Sequence, residues 1–489
     1  METIRASRSA TLAGPAEENK TFRRVLRASS ISMLGSHVTT IAYPLLVLRL
    51  TGSPFAAGCV AFAATAPGIL VHIPAGALID RWNPRRAMIF SEFGRGVAIA
   101  TVAATIALGR AMVPLLIAVA IIEGVLEVFS GLAERRYVGS LVERSQVSSA
   151  LVRIEARTHI VLVAGRPLGG LLFEIGPIFP FLADVASFIY SVVTLKRIKS
   201  RGPGYLAITA AQEPARKSHL STEMKEGLGW IYKDKFACLV ISSFAVGTLA
   251  FQALIMVFLG DAHVRRLPTL AIGMVLAASG VGGALGSALA PSLLPRVRRY
   301  WIRIQMWIWV IGFGVLLFPS GRQVFCMAII LATLGFTGAL GNIALDTYLV
   351  QNANNEMLAR VTSVSRLASF AACAIGPVLG GVLIQELGVQ RAMSSLFLST
   401  LVLLALAAHT PTESVFTVTF PPREPLSRAW NSFLAWRPWR PVPPVLVPEP
   451  SAVDPGFAHA EPPAPVHLGA DLPAPVHLGF KAKVPLARQ

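Results

Sequence analysis

A chain of 489 residues that is 54% hydrophobic and only 14% charged, with a mean hydropathy of +0.60, is too apolar for a water-soluble globular protein. Its formal charge of +18, from 44 Lys and Arg against 26 Asp and Glu, would suit a nucleic-acid binder, but the basic residues gather in alternate loops between apolar blocks. That pattern excludes nucleic acid as a partner and implies a lipid bilayer.

The opening residues 1–27 contain Glu2, Glu17, Glu18 and several arginines, so they hold no early apolar core of a signal peptide and are expected to form a disordered basic cytoplasmic arm. Beyond them the apolar blocks run about 20 residues each, the length that crosses ~30 Å of hydrocarbon as a helix. Spans are predicted near 28–50, 54–79, 87–109, 112–133, 148–173 and 177–195, then 236–260, 269–294, 301–319, 323–345, 361–386 and 391–409. The fold class that follows is an all-α membrane protein of twelve transmembrane helices in two pseudo-symmetric six-helix bundles, residues 28–196 and 236–409. Between them, 197–235 is hydrophilic and reads as a cytoplasmic linker. Residues 410–489 are proline-rich, repeat PAPVHLG at 463–469 and 473–479, and are expected to be a disordered tail, either dispensable or a docking segment.

Connections after even-numbered spans are rich in positive charge: Arg81, Arg85 and Arg86; Arg135, Arg136 and Arg144; Lys196, Arg197, Lys199 and Arg201; Arg296, Arg298 and Arg299. Those after odd-numbered spans are poorer, which puts both termini in the cytoplasm and the chain, as a monomer, in the cytoplasmic membrane. Cys59, Cys238, Cys326 and Cys373 all fall within apolar blocks. No disulfide framework, metal site or cofactor is expected, and no phosphate-binding loop or nucleophile motif points to an enzyme.

An internal repeat divides the chain in two. Gly58–Arg81 aligns without gaps on Gly273–Arg296, pairing span two with span eight, and Pro167-Leu-Gly169-Gly170 in span five pairs with Pro377-Val-Leu-Gly380-Gly381 in span eleven. Repeated halves with a site between them are a transporter plan.

The loop after span two reads Gly76-Ala-Leu-Ile-Asp80-Arg81-Trp-Asn83-Pro84-Arg85-Arg86 and resembles the G-x-L-x-D-R-x-G-R-R signature of the major facilitator superfamily. Glycine allows close helix approach, and the acid and arginines can bridge neighbouring helices as a conformational latch. Asn83 stands where the signature has glycine, a residue able to adopt positive φ, and Pro84 replaces a basic residue. In span five, Gly165-Arg166-Pro167-Leu-Gly169-Gly170 resembles the Gly-Pro signature of the superfamily's antiporters, with Arg166 at a usual glycine; Gly376-Pro377 through Gly380-Gly381 repeats it in span eleven with one more residue after the proline. Phe181-Leu-Ala-Asp184-Val-Ala-Ser-Phe188 and Leu340 to Gln351 are similar to the branch containing enterobactin exporters and macrolide-efflux proteins. The resemblance covers about residues 22–409. It implies alternating access by the two bundles, with a small drug-like or secreted molecule exported against returning protons.

Ionisable residues inside spans are expensive, so each marks either a functional site or an ion pair that ties helices together. Glu123 and Glu127 lie one turn apart on span four, and Arg153, Glu155, Arg157 and His159 lie on span five. Counting 1.5 Å per residue from the cytoplasmic ends sets Glu123 and Glu127 level with Arg157 and Arg153, and Asp184 level with Arg166. Two ion-pair layers are therefore expected. Glu123, the deeper acid, is the preferred proton carrier, because a carboxyl among few polar neighbours can take up and release a proton during a cycle. The branch often carries an acid in span one; here the stretch is Leu34-Gly35-Ser36-His37-Val38-Thr39, so His37 is a titrating alternative or a structural histidine, as is His72 in span two. Glu92 and Arg95 in span three are expected to partner the Asp80/Arg81 loop.

Trp301, Trp307 and Trp309 crowd span nine and read as lipid-facing or interfacial, with stacking on a substrate as the alternative. Phe244, Phe251, Gln252 and Met256 in span seven either line a cavity for a bulky apolar substrate or pack the core. Three functions remain open on the sequence: a proton-coupled exporter, an importer of the same fold, and a membrane scaffold or sensor that transports nothing.

Overall fold

The apolar blocks of the sequence are helical, and turn chemistry explains where spans two and three start. The computed structural model describes residues 15–141, 147–198, 220–297, 301–317, 323–353 and 355–408; the proline-rich tail and most of the linker lie outside them. Span one is Pro15–Thr51. Gly52, at φ 68°, turns the chain into span two, where Ser53 caps the Ala56 amide at 3.2 Å and Pro54 occupies the first turn. Span two is divided at Pro67 into Pro54–Thr65 and Pro67–Ile79. Spans three to six are Pro84–Ala107, Val113–Leu141, Val147–Ile175 and Phe179–Arg197. After a short helix, Leu220–Lys233, spans seven to ten are Lys235–Val264, Thr269–Val297, Trp301–Leu316 and Gln323–Asn352. The helical stretch Asn355–Ala408 turns at Gly388, φ 75°, and so supplies spans eleven and twelve.

Two expectations change. The N-terminal arm is helical from Pro15 onward, because Phe22, Val25 and Leu26 recur at helical spacing and pack into a cluster with Ile79, Met88, Tyr137 and Leu195. The linker contains the helix Leu220–Lys233, whose Glu226 pairs with Arg360 at the start of span eleven, while Gly227 lies against the Arg360 carbonyl.

The two bundles meet along two seams, spans two with eleven and spans five with eight. Close approach there depends on residues without side chains, and the contacts come in equivalent pairs. A β-carbon on Gly58 would lie 2.5 Å from the Pro377 carbonyl oxygen, and one on Gly273 would lie 2.5 Å from that of Arg166. Gly381 meets the Pro54 carbonyl as Gly170 meets that of Thr269. Within each bundle, Gly165 and Gly169 pack on His37 and Val38 of span one, and Gly376 and Gly380 pack on Gln252 and Ala253 of span seven. The equivalence aligns Gly165 with Gly376 and Gly170 with Gly381 without a gap, so Arg166, and not Pro167, corresponds to Pro377. Register in the repeat is set by the glycines that let backbones touch.

These seams lie in the half of the molecule where spans one and two are joined, at Ser53–Gln385 (2.8 Å) and where Glu174 accepts from the Leu270 amide (3.0 Å). Contact thins towards the opposite end. There the rings of His72 and Phe370 stand 6.0 Å apart, and a β-carbon added to Gly76 would have no neighbour within 4 Å.

Candidate functional site

From Thr21 to Thr51 span one carries no acid, but Ser29, Ser32, Ser36 and Thr39 follow one another at spacings of three, four and three, which places their hydroxyls on one helix face. Each hydroxyl engages a buried charge from another span. Ser29 donates to Glu134 Oε1 at 2.5 Å and accepts from Arg157 at 2.7 Å. Arg157 also grips the Glu134 carboxylate with two bonds, 2.6 and 3.1 Å. One turn deeper, Ser32 donates to Glu92 at 2.5 Å, and Ser130 donates to the other oxygen of that carboxylate at 2.7 Å.

Deeper still, Arg95 donates to Ser36 at 2.8 Å and pairs with Glu123 at 3.3 Å; its guanidinium lies over the Phe188 ring, 4.7 Å from the centroid. Tyr43 stands edge-on to Phe181, and its buried hydroxyl makes no hydrogen bond among the described residues. At the deepest rung Thr39 donates to Asp184 at 2.8 Å, and Ser187 donates to the same carboxylate at 3.1 Å. Asp184 is wholly buried and has no cation within 4 Å among the described residues. Gly35 makes room for it: a β-carbon there would sit 2.3 Å from Asp184 Oδ1.

Of the pairs predicted from depth, Glu123 with Arg157 and Asp184 with Arg166 do not form. Glu123 pairs with Arg95 of span three, Arg157 pairs with Glu134 nearer the end of span four, and Glu127 is exposed and reaches Arg95 only at 4.0 Å. Arg166 does not meet Asp184; it turns across the seam and donates to Leu276 O and Ser279 Oγ of span eight at 2.7 and 2.8 Å. The side chains of Arg153 and Glu155 lie outside the described residues. Matching depth sets height along the membrane normal, whereas pairing also needs two helix faces to point at each other. His37 is packed by Gly165, and its Nε2 is buried without a hydrogen-bond partner among the described residues.

The latch loop also differs from its expected wiring. Asp80 is held by Arg136 at the end of span four, which also donates to the Ile79 and Asp80 carbonyls at 3.0 and 2.9 Å. Glu92 and Arg95 face the span-one hydroxyls and leave that loop alone. Arg85 donates to the Leu195 and Lys196 carbonyls at the end of span six, both at 3.0 Å. Arg81 and Arg86 make no ion pair among the described residues and, with Trp82 and Phe90, line a cavity of about 370 Å³. Asn83 has φ −69° and needs no left-handed backbone; its side chain caps span three by accepting from the Arg86 amide, with Pro84 in the first turn. A β-carbon on Gly76 would meet nothing within 4 Å, so the close helix approach expected of it is absent in this arrangement.

Of the span-seven cavity candidates, Met256 is buried in the core and Phe244 packs beside Gly341 of span ten. Phe251 packs against the main core, while Gln252 donates to Cys373 Sγ at 3.4 Å. Trp307 is exposed as an outward-facing aromatic should be, but Trp309 is buried and donates to Thr337 at 3.0 Å.

Every buried charged residue among the described residues, namely Glu92, Arg95, Glu123, Glu134, Arg157 and Asp184, belongs to the first six spans. Glu134 and the four span-one hydroxyls escaped the sequence reading, although the three-four-three spacing of the hydroxyls was a visible signal. Two repeat-related bundles of apolar spans, glycine seams between them and a charged interior in one of them define a polytopic membrane transporter. The family model of the Major Facilitator Superfamily matches residues 26–374, and the chain belongs to that family.

Relatives include the multidrug efflux pump Tap of Mycolicibacterium fortuitum, 24% identical over 403 residues that cover 79% of this chain and 95% of that protein. Tap of Mycobacterium tuberculosis is 23% identical over 394 residues, 76% of this chain and 89% of the relative. Among solved structures, the nucleoside transporter NupG superposes with TM-score 0.63 at 12% identity, covering 79% of this chain and 98% of its own. A bacterial homologue of the iron transporter ferroportin in its inward-facing state gives TM-score 0.58 at 16% identity, over 80% and 99% of the two chains. These likenesses show the fold.

Proposed function

We propose that the protein is a proton-coupled exporter, an antiporter that moves a small drug-like or secreted molecule out of the cell by alternating access. The observation that carries this reading is the column of buried carboxylates beside span one, with Glu123 and Asp184 at its deep end and Arg95 next to Glu123. Buried carboxyls whose partners are weak or neutral hydroxyls can exist with or without a proton, and a cation beside them responds to the change. In the proposed cycle, protonation of Glu123 weakens its pair with Arg95, which is then held by Ser36 and Phe188, and that change biases how the two bundles lean. The efflux names of relatives at 23–24% identity support export.

The proposed layout keeps 28–196 and 236–409 as the two bundles, 197–235 as a cytoplasmic linker, and the arm and tail on the cytoplasmic side of a monomer in the cytoplasmic membrane. On that orientation the glycine seams close the outer side, and the structure is inward-facing. Accumulation of fluorescent substrates in cells with and without the protein tests the proposal. The protein should lower accumulation, and a protonophore should abolish the difference. Accumulation that rises with the protein would indicate import, and accumulation that never changes would leave a scaffold.

A further inference from the structure

Arg166 breaks the two-fold repeat. Its equivalent in span eleven is Pro377, and the seam contacts around both positions are otherwise matched, down to the 2.5 Å approach of Gly273 and Gly58 to their carbonyl oxygens. A guanidinium within a membrane span is costly unless an anion accompanies it. None is supplied here: its bonds go to the Leu276 carbonyl and the Ser279 hydroxyl, and no carboxylate lies within 4 Å of it among the described residues. A neutral glutamine amide could make the same kind of bonds. The charge is therefore surplus to the work of clamping span five to span eight.

Around Arg166 the chain gathers uncharged polar groups from both bundles. Gly165, its neighbour, lies against His37 of span one, whose Nε2 is buried with no hydrogen-bond partner among the described residues. Cys373 of span eleven lies within electrostatic reach of Arg166 and accepts a bond from Gln252 of span seven at 3.4 Å. An imidazole, a thiol and an amide supply no negative charge to a cation whose natural complement is an anionic ligand.

We propose that Arg166 recognises an anionic group, such as a carboxylate, on the transported molecule at the seam between spans five and eight. The inference rests on the reading that the protein carries a small organic molecule, but not on direction or coupling. A guanidinium offers five donors in a planar fork, so it can donate two of them to a carboxylate. When the bundles part along this seam, the bonds to Leu276 and Ser279 must break, and the bound anion replaces them. The substrate class is thus an amphipathic organic anion.

Binding tests this without any transport. The full-length protein is purified in detergent, and fluorescence anisotropy is followed with 7-diethylaminocoumarin-3-carboxylate and with the corresponding uncharged 3-carboxamide, which share one ring system. The wild type should bind the carboxylate about tenfold or more tightly than the amide, Arg166→Lys should keep part of that preference, and Arg166→Gln should bring the two to within about twofold. Thermal unfolding of Arg166→Gln should match the wild type, because the seam bonds survive. Equal binding of both dyes by the wild type, or an undiminished preference in Arg166→Gln, overturns the proposal. So does a Gln variant that loses stability together with both ligands, which would make Arg166 a clamp alone. Should the binding preference hold while cellular accumulation never responds to a protonophore, proton-driven export fails and this assignment stands.

Discussion

Arg95 of span three pairs with Glu123 of span four at 3.3 Å while donating to Ser36 of span one at 2.8 Å, so one buried guanidinium joins three helices of the first bundle. The arrangement makes the protonation of a single carboxyl felt by helices that must move together.

Glu123→Gln keeps a hydrogen-bonding partner for Arg95 but removes the group that exchanges a proton. Substrate efflux driven by an imposed pH gradient in proteoliposomes should fall by about tenfold or more, with little change in thermal stability. Undiminished gradient-driven efflux would take Glu123 out of the coupling role.

Glu134 and Arg157 form a two-bonded buried pair, also tied to Ser29. Truncating one partner, as in Arg157→Ala, strands a charge in the interior and should cost about 3–5 kcal/mol. The double variant Glu134→Ala with Arg157→Ala should lose less than the sum of the two single losses. Thermal unfolding of the purified variants measures the coupling; additive losses would mean that the pair is not coupled.

Gly35→Ala forces a methyl carbon to within 2.3 Å of both Asp184 Oδ1 and Ser187 Oγ. Backbone or side chains must shift, so both stability and transport should drop, by about 1–3 kcal/mol in the first case. Gly76→Ala, in open space, should leave the melting temperature unchanged. Equal tolerance of the two substitutions would contradict the packing described for Asp184.

Gly58→Val and Gly273→Val sit at equivalent seams, and each wedges a side chain against a backbone carbonyl 2.5 Å from the new β-carbon. Both should open the end of the molecule near Ser53. A cysteine introduced as Ser53→Cys should then react with a membrane-impermeant thiol reagent several-fold faster, since ~1–2 kcal/mol of overpacking shifts a two-state population by roughly that factor. Opposite responses from the two variants would refute the symmetry of the seams.

Much of the fold was legible because hydropathy is a local property. A stretch of apolar residues long enough to span lipid identifies itself, and the Gly76–Arg86 loop and the repeated glycines carry the family in short strings. Function was legible only as a set of candidates. Glu123, Arg157 and Asp184 were recognisable as expensive residues, yet their partners Arg95, Glu134 and Thr39 came from helices chosen by packing. The missing span-one acid shows why: four hydroxyls of span one line up with the charges of its neighbours, and hydroxyls in an apolar helix attract no notice.

Sequence by itself determined that the chain crosses a membrane many times, that its halves are repeats and that it belongs with facilitator-type transporters, since these follow from composition, length and local motifs. Only the tertiary structure decided which charge faces which, that Asp80 is held by Arg136, and that Arg166 leaves Asp184 for the opposite bundle. The reason is geometric. Residue counting gives the height of a side chain along a helix, but the face it presents to a neighbour depends on how each helix is rotated, and that is set by the glycine contacts of the whole assembly.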